Sequence, residues 1–269
     1  MGNIIVSNDI ISIADAEITA QSTADGFDKV NVMDFWRLKR RWRMNTLTKS
    51  NTNPIMIFDL GETKTIPAFF LNDVNFDKVL IKGHASNLTT DWAAASFDSG
   101  ILSISEDDQV ERRKVYIPAS TFEYRWLAIC IPITASAVGS YVIKWEMGTV
   151  LLLEDTTLFM HNMAPDYARG ATQAYGELNL KNGRVERTKF GPIRWEGILQ
   201  FGIRSTAQEA DLLTLNNMNI ANPLVFYENG TDGDDTSKVY LCVRESQYKG
   251  SLIYSSTVQA TSIKLIELV

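Results

Sequence analysis

Short apolar runs separated by turn residues make up most of the chain. The runs are rich in β-branched and aromatic residues and occur at residues 55–60, 68–71, 78–82, 114–117, 124–131 and 141–145. This pattern is typical of strands in an antiparallel β protein. Because each strand must bury an apolar face against another layer, the pattern predicts a mainly β fold, with a jelly-roll-like sandwich in the first half.

One long strand and one helix are predicted in the second half. Residues 187–203 alternate well enough to form a single strand. Residues 205–219 place apolar side chains on one helical face, and Ser205 with Gln208 matches a capping box. Further strands are predicted at residues 224–227, 238–243 and 262–269.

A second domain is predicted to begin near residue 149. Gly148 predicts a turn into a new strand at residues 149–154, and no Pro/Ser-rich linker separates the two parts. We therefore expect two β-rich domains that pack against each other. Residues 1–148 form the sandwich, and residues 149–269 form a β domain with one helix at about 205–219.

Composition and charge describe a folded protein without a strong electrostatic bias. The chain has 269 residues, 45% of them hydrophobic, and carries 26 Lys+Arg against 32 Asp+Glu, a net charge of −6. Disorder is excluded by the hydrophobic content, and nucleic acid is not an expected partner without a basic half. The sequence shows neither a standard export signal nor an apolar stretch of membrane-spanning length, so no membrane insertion is expected.

The residues that usually carry catalysis or bind metals are scarce. Cys130 and Cys242 lie in apolar runs and are predicted to be reduced core thiols. The two histidines, His84 and His161, supply too little material for a zinc site or a catalytic triad. Residues 229–236 concentrate carboxylates, but they lack the final glutamate of a twelve-residue calcium loop and fit a long hairpin turn better. We expect no enzymatic activity, no cofactor and no metal.

A basic and aromatic cluster is the densest charge feature of the sequence. Its members are Trp36, Arg37, Arg40, Arg41, Trp42 and Arg43. Such a cluster suits a subunit interface or a solvated strand whose arginines pair with acidic neighbours of the same fold or an adjacent subunit. A glycan or anion site is an alternative, because aromatic faces with planar donors bind sugars, and nucleic acid is a third.

An ordered set of motifs in the first half resembles a known sandwich. The motifs include Thr23-Ala-Asp-Gly-Phe27, Asn31-Val-Met-Asp34, Arg41-Trp-Arg43 and Ile57-Phe-Asp-Leu-Gly61. Together they resemble the galactose-binding-like (discoidin-type) β-sandwich found in tailed-bacteriophage virion proteins, over about the first 145 residues. In the second half, the order of elements after Trp195 is similar to tail-tip and distal-tail proteins of long-tailed phages.

The two resemblances imply a function at the tip of a phage tail. They imply a non-enzymatic structural protein of the tail tip or baseplate, assembled in the host cytoplasm into symmetric copies, as a ring or hub, with other tail proteins of the virion. The alternative is a carbohydrate- or receptor-binding module that acts in host adsorption on a surface glycan. In that module Trp36, Trp42, Arg37 and Arg43 are the candidate sugar contacts.

Overall fold

The computed structural model describes residues 4–7, 16–34, 40–104, 112–137, 144–153, 157–159, 168–179, 185–203, 223–227, 239–245 and 259–268. The strands are β1 (Ile4–Ser7), β2 (Glu17–Ala20), β3 (Trp42–Arg43), β4 (Met56–Ile66), β5 (Ala68–Val74), β6 (Lys78–His84), β7 (Phe97–Asp98), β8 (Leu102–Ser103), β9 (Arg112–Tyr116), β10 (Phe122–Cys130), β11 (Glu146–Leu153), β12 (Thr157–Phe159), β13 (Ala168–Asn179), β14 (Val185–Ile203), β15 (Leu224–Tyr227), β16 (Val239–Arg244) and β17 (Gln259–Glu267). The predicted mainly β class is confirmed. The helix predicted at residues 205–219 lies outside the described residues.

The strands form three antiparallel sheets. The front sheet has the order β2-β4-β10-β6-β7, with β8 also paired to β6. The middle sheet has the order β3-β11-β5-β9, and the back sheet has the order β12-β1-β15-β16-β17-β14-β13. The antiparallel β architecture with a sandwich is therefore confirmed.

The main hydrophobic core lies between the front and middle sheets. Phe58 and Leu127 of the front sheet and Phe69 and Leu152 of the middle sheet are buried in one cluster. The Phe69 and Phe122 rings meet edge to face, with centroids 5.4 Å apart. Burial of each such side chain contributes about 1.5–3 kcal/mol, so this layer holds the sandwich together.

The two central strands of the middle sheet, β5 and β11, are buried on both faces, which explains their apolar runs. Every residue of β5 is buried. Phe70 and Leu151 point away from the main core and join a second cluster with Val225 and Leu241 of the back sheet. A strand buried on both faces reads as an unbroken apolar run, because neither face is left for polar residues.

The contact between middle and back sheets also contains a buried ion pair. Arg113 of β9 lies 2.7 Å from Glu267 of β17 and donates to the Val239 carbonyl oxygen at 3.1 Å. Both partners are largely buried, with side-chain exposures of 12% and 9%. A buried charge needs such pairing, and losing one partner leaves the other desolvated without compensation.

The predicted turn at Gly148 is wrong, because β11 runs without interruption through this position. A Cβ atom on Gly148 would lie 2.8 Å from the Asn72 carbonyl oxygen and 2.9 Å from the Asp73 Cβ, so the glycine permits close strand packing. β11 thus carries residues 149–153 into the sandwich, while β1 joins the back sheet. The division into domains 1–148 and 149–269 stays a prediction.

β13 and β14 extend beyond the rest of the back sheet as a two-stranded β-ribbon. β13 pairs with β14 along residues 185–198, whereas β17 pairs with β14 only at residues 196–203. Among the described strands, residues 185–195 of β14 therefore pair with β13 alone. A register shift places residues 191–193 opposite the single residue Gln173, so the nine residues from Ala171 to Asn179 of β13 set the length, about 30 Å at about 3.3 Å per residue. The single long strand predicted at residues 187–203 is confirmed.

The last strands of the back sheet agree with the hairpin and terminal strand predicted from the sequence. β15 pairs antiparallel with β16, as expected for a hairpin around residues 229–236, which lie outside the described residues. β17 is paired on both sides, with β14 and β16. Cys130 and Cys242 are buried and free, which confirms their prediction as core thiols.

Outside β9, β13 and β14, the most exposed charged side chains of the described residues are mainly acidic. Eight of them are acidic and two are basic. The acidic residues are Glu17, Asp25, Asp28, Glu62, Asp91, Asp98, Glu123 and Glu245, and the basic residues are Arg40 and Lys49. Most other described Lys and Arg side chains are partly or fully covered.

Candidate functional site

A polar cleft lies at the edge of the sandwich, beside the loop between β2 and β3. Its volume is about 760 Å³, and it is open to solvent. It is lined by residues 23–29 with Asn31, Arg40 and Arg41. This volume falls within the range of small-molecule binding sites.

The loop that lines the cleft has a defined backbone. Phe27 N–H donates to the Ala24 carbonyl oxygen at 3.0 Å, and Gly26 has a φ of +81°, which a residue with a Cβ seldom adopts. The Asp28 carboxylate then accepts from Val30 N–H at 3.2 Å and caps the short 3-10 turn Lys29–Met33. The Ala24-to-Phe27 turn and the capped turn fix the positions of the cleft side chains.

Side chains tie this loop to β3. Trp42 donates its indole N–H to the Thr23 hydroxyl oxygen at 3.2 Å, and Asn31 donates its amide to the Arg41 carbonyl oxygen at 3.1 Å. Ala24 N–H donates to the Arg43 carbonyl oxygen at 2.9 Å. The cleft wall is therefore built on the sandwich itself. A wall that is already ordered before binding lowers the entropy cost of binding a ligand.

Two arginines of the basic cluster are neutralised within the fold. Arg41 lies 2.7 Å from Asp73 and 3.4 Å from Glu146, and Arg43 lies 2.5 Å from Glu146. The Arg43 guanidinium also stacks on the Phe27 ring, 3.9 Å from its centroid. Of the alternatives for this cluster, pairing with acidic neighbours of the same fold is the one that these two side chains adopt.

Three charged cleft residues remain available to a ligand. No described residue forms an ion pair with Asp25, Lys29 or Arg40. Asp25 and Arg40 are exposed, and Lys29 is partly exposed. Together with the exposed carboxylate of Asp28, they present hydrogen-bond acceptors and donors toward one space.

The structure brings together only part of the predicted cluster. Arg40 and Arg41 line the cleft. Arg43 contacts the cleft residue Phe27 and pairs with Glu146. Trp42 is 0% exposed, so its ring lies in the core and offers no face to a sugar. Trp36 and Arg37 lie outside the described residues. Their assignment to an interface or glycan site stays a prediction.

Sequence reasoning did not assign Asp25, Phe27 and Lys29 to the site. The Asp25-Gly26 dipeptide was the available signal, because it marks a turn with positive φ that exposes its side chains. The loop and Arg40 are more than ten residues apart in sequence, so no local pattern predicts that they line the same cleft.

Outside the cleft, no group of side chains among the described residues suggests catalysis or metal binding. The described residues contain no group of three or more His, Cys, Asp or Glu side chains able to hold a metal ion. His84 shares a hydrogen bond of 2.9 Å between its Nδ1 and the Ser96 hydroxyl, and His161 lies outside the described residues. Burial raises the pKa of the Cys130 thiol to about 12, which suits a structural thiol. In the part of the chain that the structure covers, no helix is long and apolar enough to cross a membrane.

Comparison with known proteins gives only distant likenesses. No family model matches the sequence, and no curated protein matches it. A family 32 carbohydrate-binding module from C. perfringens NanJ in complex with galactose is 13% identical, with a TM-score of 0.38 over 55% of this chain and 99% of that one. A module termed CBM32-1, from a family 31 glycoside hydrolase of Clostridium perfringens, is 10% identical, with a TM-score of 0.37 over 52% of this chain and 94% of that one.

A third similar structure is reduced XRCC1 bound to the DNA pol beta catalytic domain. It is 10% identical, with a TM-score of 0.37 over 54% of this chain and 96% of that chain. Likenesses at this level do not assign the chain to a family. None of the three structures is a phage tail protein.

Proposed function

We propose that the chain is a non-enzymatic binding module that takes a carbohydrate in the cleft beside the β2–β3 loop. The observation that carries the proposal is the group formed by Asp25, Lys29 and Arg40, which face one open space and have no ion-pair partner among the described residues. Such groups are available to a ligand, whereas Arg41 and Arg43 are already engaged within the fold.

The balance of charge in the cleft favours a neutral, hydroxyl-rich ligand. Asp25 and Asp28 supply two negative charges, and Lys29 and Arg40 supply two positive charges, so their formal sum is zero. Sugar hydroxyls donate to carboxylates and accept from ammonium and guanidinium groups at the same time. A phosphate-bearing ligand would gain from the two cations but would be repelled by the two carboxylates.

The partly exposed ring of Phe27 adds an apolar element to the same wall. The Arg43 guanidinium covers one face of this ring. The remaining ring surface is available to the C–H face of a sugar, as aromatic rings are in many binding sites. The cleft thus combines the planar polar groups and the apolar patch that a carbohydrate site requires.

Binding of soluble glycans to the purified chain tests this proposal. Isothermal titration against a glycan panel that includes galactose should find a ligand. Asp25→Ala and Arg40→Ala should each weaken that binding by about tenfold or more, because each removes a charge-assisted hydrogen bond. Glu123→Ala removes an exposed carboxylate on β10, outside the cleft, and should bind as the wild type does. A panel with no ligand, or cleft variants that bind as tightly as the wild type, would refute the proposal.

A structural role in a phage tail is the second candidate, and the β-ribbon favours it. An arm that leaves the body of a protein is suited to contact with a neighbouring subunit, as expected of a virion protein that assembles in a ring or hub. The localisation would be the tail of the virion, with assembly in the host cytoplasm. Gold-labelled antibodies applied to particles from a producing culture test this role. A label confined to the tail tip would support it, and particles without label would contradict it.

A further inference from the structure

We propose that Glu146 is a positioning residue of the cleft, because it holds Arg43 against the Phe27 ring and so fixes the apolar element of the cleft wall. Glu146 is not among the residues that line the cleft. It acts on a ligand only through Arg43 and Phe27. The inference rests on the function proposed for the cleft, and it assigns the order of one cleft wall to a single carboxylate of the middle sheet.

The first argument is that the orientation of Arg43 depends on one carboxylate. Glu146 and Arg43 are register partners across β11 and β3, and the Arg43 guanidinium lies 2.5 Å from the Glu146 carboxylate. Among the described residues no other acidic side chain pairs with Arg43, and its buried Nε has no hydrogen-bond partner there. One carboxylate and one aromatic ring therefore set the position of this guanidinium.

The neighbouring arginine differs because it has a second carboxylate. The Arg41 guanidinium lies 2.7 Å from Asp73 and 3.4 Å from Glu146. Loss of the Glu146 charge therefore leaves Arg41 paired with Asp73, whereas it leaves Arg43 without a carboxylate among the described residues. The effect of that loss on the cleft should pass through Arg43.

The position of Glu146 is set by the backbone at the start of β11. Its N–H donates to the Asn75 side-chain oxygen at 2.8 Å, and the Asn75 N–H donates to the Glu146 carbonyl oxygen at 3.3 Å. The Glu146 side chain is only 17% exposed, so water and salt screen its pairing with Arg43 less than they would at an open surface. A carboxylate held in this way is a suitable support for a ligand-facing side chain.

The Phe27 ring links this network to the ligand space. The ring is partly exposed, it lines the cleft, and its centroid lies 3.9 Å from the Arg43 guanidinium carbon. A cation over an aromatic face is attracted to it and favours one arrangement of the pair. When Arg43 is not held in place, the ring gains conformational freedom. A ligand must then order the ring on binding, which weakens binding by about three- to tenfold for each side chain ordered.

Glycan titration combined with hydrogen exchange of the full chain tests the inference. Glu146→Gln keeps the size of the side chain and removes its charge. It should weaken binding of galactose, or of the panel glycan that binds best, by about three- to tenfold. It should also speed the exchange of the Ala24 and Phe27 N–H groups by about threefold or more, because their hydrogen bonds join the cleft loop to β3 and close its turn.

A second variant tests the route through Arg43. Arg43→Met removes the guanidinium and keeps a long unbranched side chain, and it leaves Glu146 paired with Arg41. In this background Glu146→Gln should change neither glycan binding nor the exchange of the Ala24 and Phe27 N–H groups, because the link to the cleft is already lost. An effect as large as in the wild type would overturn the inference.

Glu267→Gln is the matched control. It removes a carboxylate from the ion pair with Arg113, at the β9 edge of the middle sheet, which is the edge opposite β3. Because this pair is more deeply buried, the variant should lower the melting temperature at least as much as Glu146→Gln does. It should leave glycan binding and the exchange of the Ala24 and Phe27 N–H groups unchanged.

The remaining outcomes separate this inference from the function proposed for the cleft. Binding and exchange that are equal in the wild type and in Glu146→Gln would overturn the inference, as would the same changes in Glu267→Gln, since they would indicate a general loss of stability. If no glycan binds the wild type, the function proposed for the cleft fails. The exchange of the Ala24 and Phe27 N–H groups then decides alone whether Glu146 orders the cleft wall.

Discussion

The close packing of Gly148 against β5 predicts that Gly148→Ala destabilises the middle sheet. A Cβ atom there would lie 2.8 Å from the Asn72 carbonyl oxygen and 2.9 Å from the Asp73 Cβ. Real Cβ atoms essentially never approach other atoms within 3.0 Å, so β5 or β11 must shift. Because the middle sheet is covered on both faces, a shift in either strand disturbs two cores.

The magnitude follows from two opposing terms. Overpacking of a well-packed interior costs about 1–3 kcal/mol. Replacing glycine by alanine also restricts the unfolded chain, which stabilises the folded state by about 0.4–1 kcal/mol. The net expectation is a loss of about 1–2 kcal/mol in the free energy of unfolding. For a chain of this size that loss lowers the melting temperature by about 2–8 °C.

Urea denaturation of a double-mutant cycle tests the mechanism. Asp73 has a φ of +56°, a conformation that glycine adopts freely, and Asp73→Gly removes the Cβ that Gly148→Ala would meet. If the contact causes the loss, Gly148→Ala should cost less in the Asp73→Gly background, by about 0.5 kcal/mol or more. The reasoning is refuted if Gly148→Ala leaves the stability unchanged. An equal cost in both backgrounds would assign the loss to the contact with the Asn72 carbonyl oxygen, which Asp73→Gly leaves in place.

Three further predictions concern buried and paired groups. The Thr149 hydroxyl is buried without a hydrogen-bond partner among the described residues, so Thr149→Val should raise the free energy of unfolding by about 1 kcal/mol in urea titrations; a decrease would contradict this. The hydrogen bonds from Arg125 lower the pKa of Asp59 below its ordinary value of 3.8, so their stabilisation is present above that value and is lost as the pH falls through the lower, folded-state pKa. The melting temperature of Asp59→Asn should therefore fall below that of the wild type at neutral pH and approach it in acid, and a difference independent of pH would exclude this role. Burial raises the pKa of the Cys130 thiol to about 12 and raises the pKa of the Cys242 thiol well above its ordinary value. A thiol reagent at mildly alkaline pH should therefore modify both cysteines only after denaturation. Labelling of the native chain would contradict their burial.

The candidate site was only partly predictable from the sequence. The basic cluster at residues 37–43 is visible as a local concentration of charge, and Arg40 and Arg41 indeed line the cleft. Sequence alone did not separate Arg40, which is exposed, from Arg41 and Arg43, which are engaged by acidic residues far along the chain. Trp42 has the same apolar character whether it faces a ligand or the core. Burial, which is a tertiary property, decided in favour of the core.

The resemblance to phage tail proteins and the two-domain division remain hypotheses. β11 passes through the predicted boundary at residue 148, and β1 belongs to the back sheet, so the sheets do not separate at a single point in the sequence. Particle labelling addresses the tail assignment.

The sequence by itself determined the antiparallel β class, most of the strands and the burial of both cysteines. These follow from local alternation, β-branched content and turn residues, which act over a few positions. Only the tertiary structure decided that Gly148 serves a close strand contact and that Arg41 and Arg43 are neutralised by Asp73 and Glu146. The stacking of three sheets was also decided there. These features depend on contacts between residues far apart in the chain, and no local pattern records which distant strands meet.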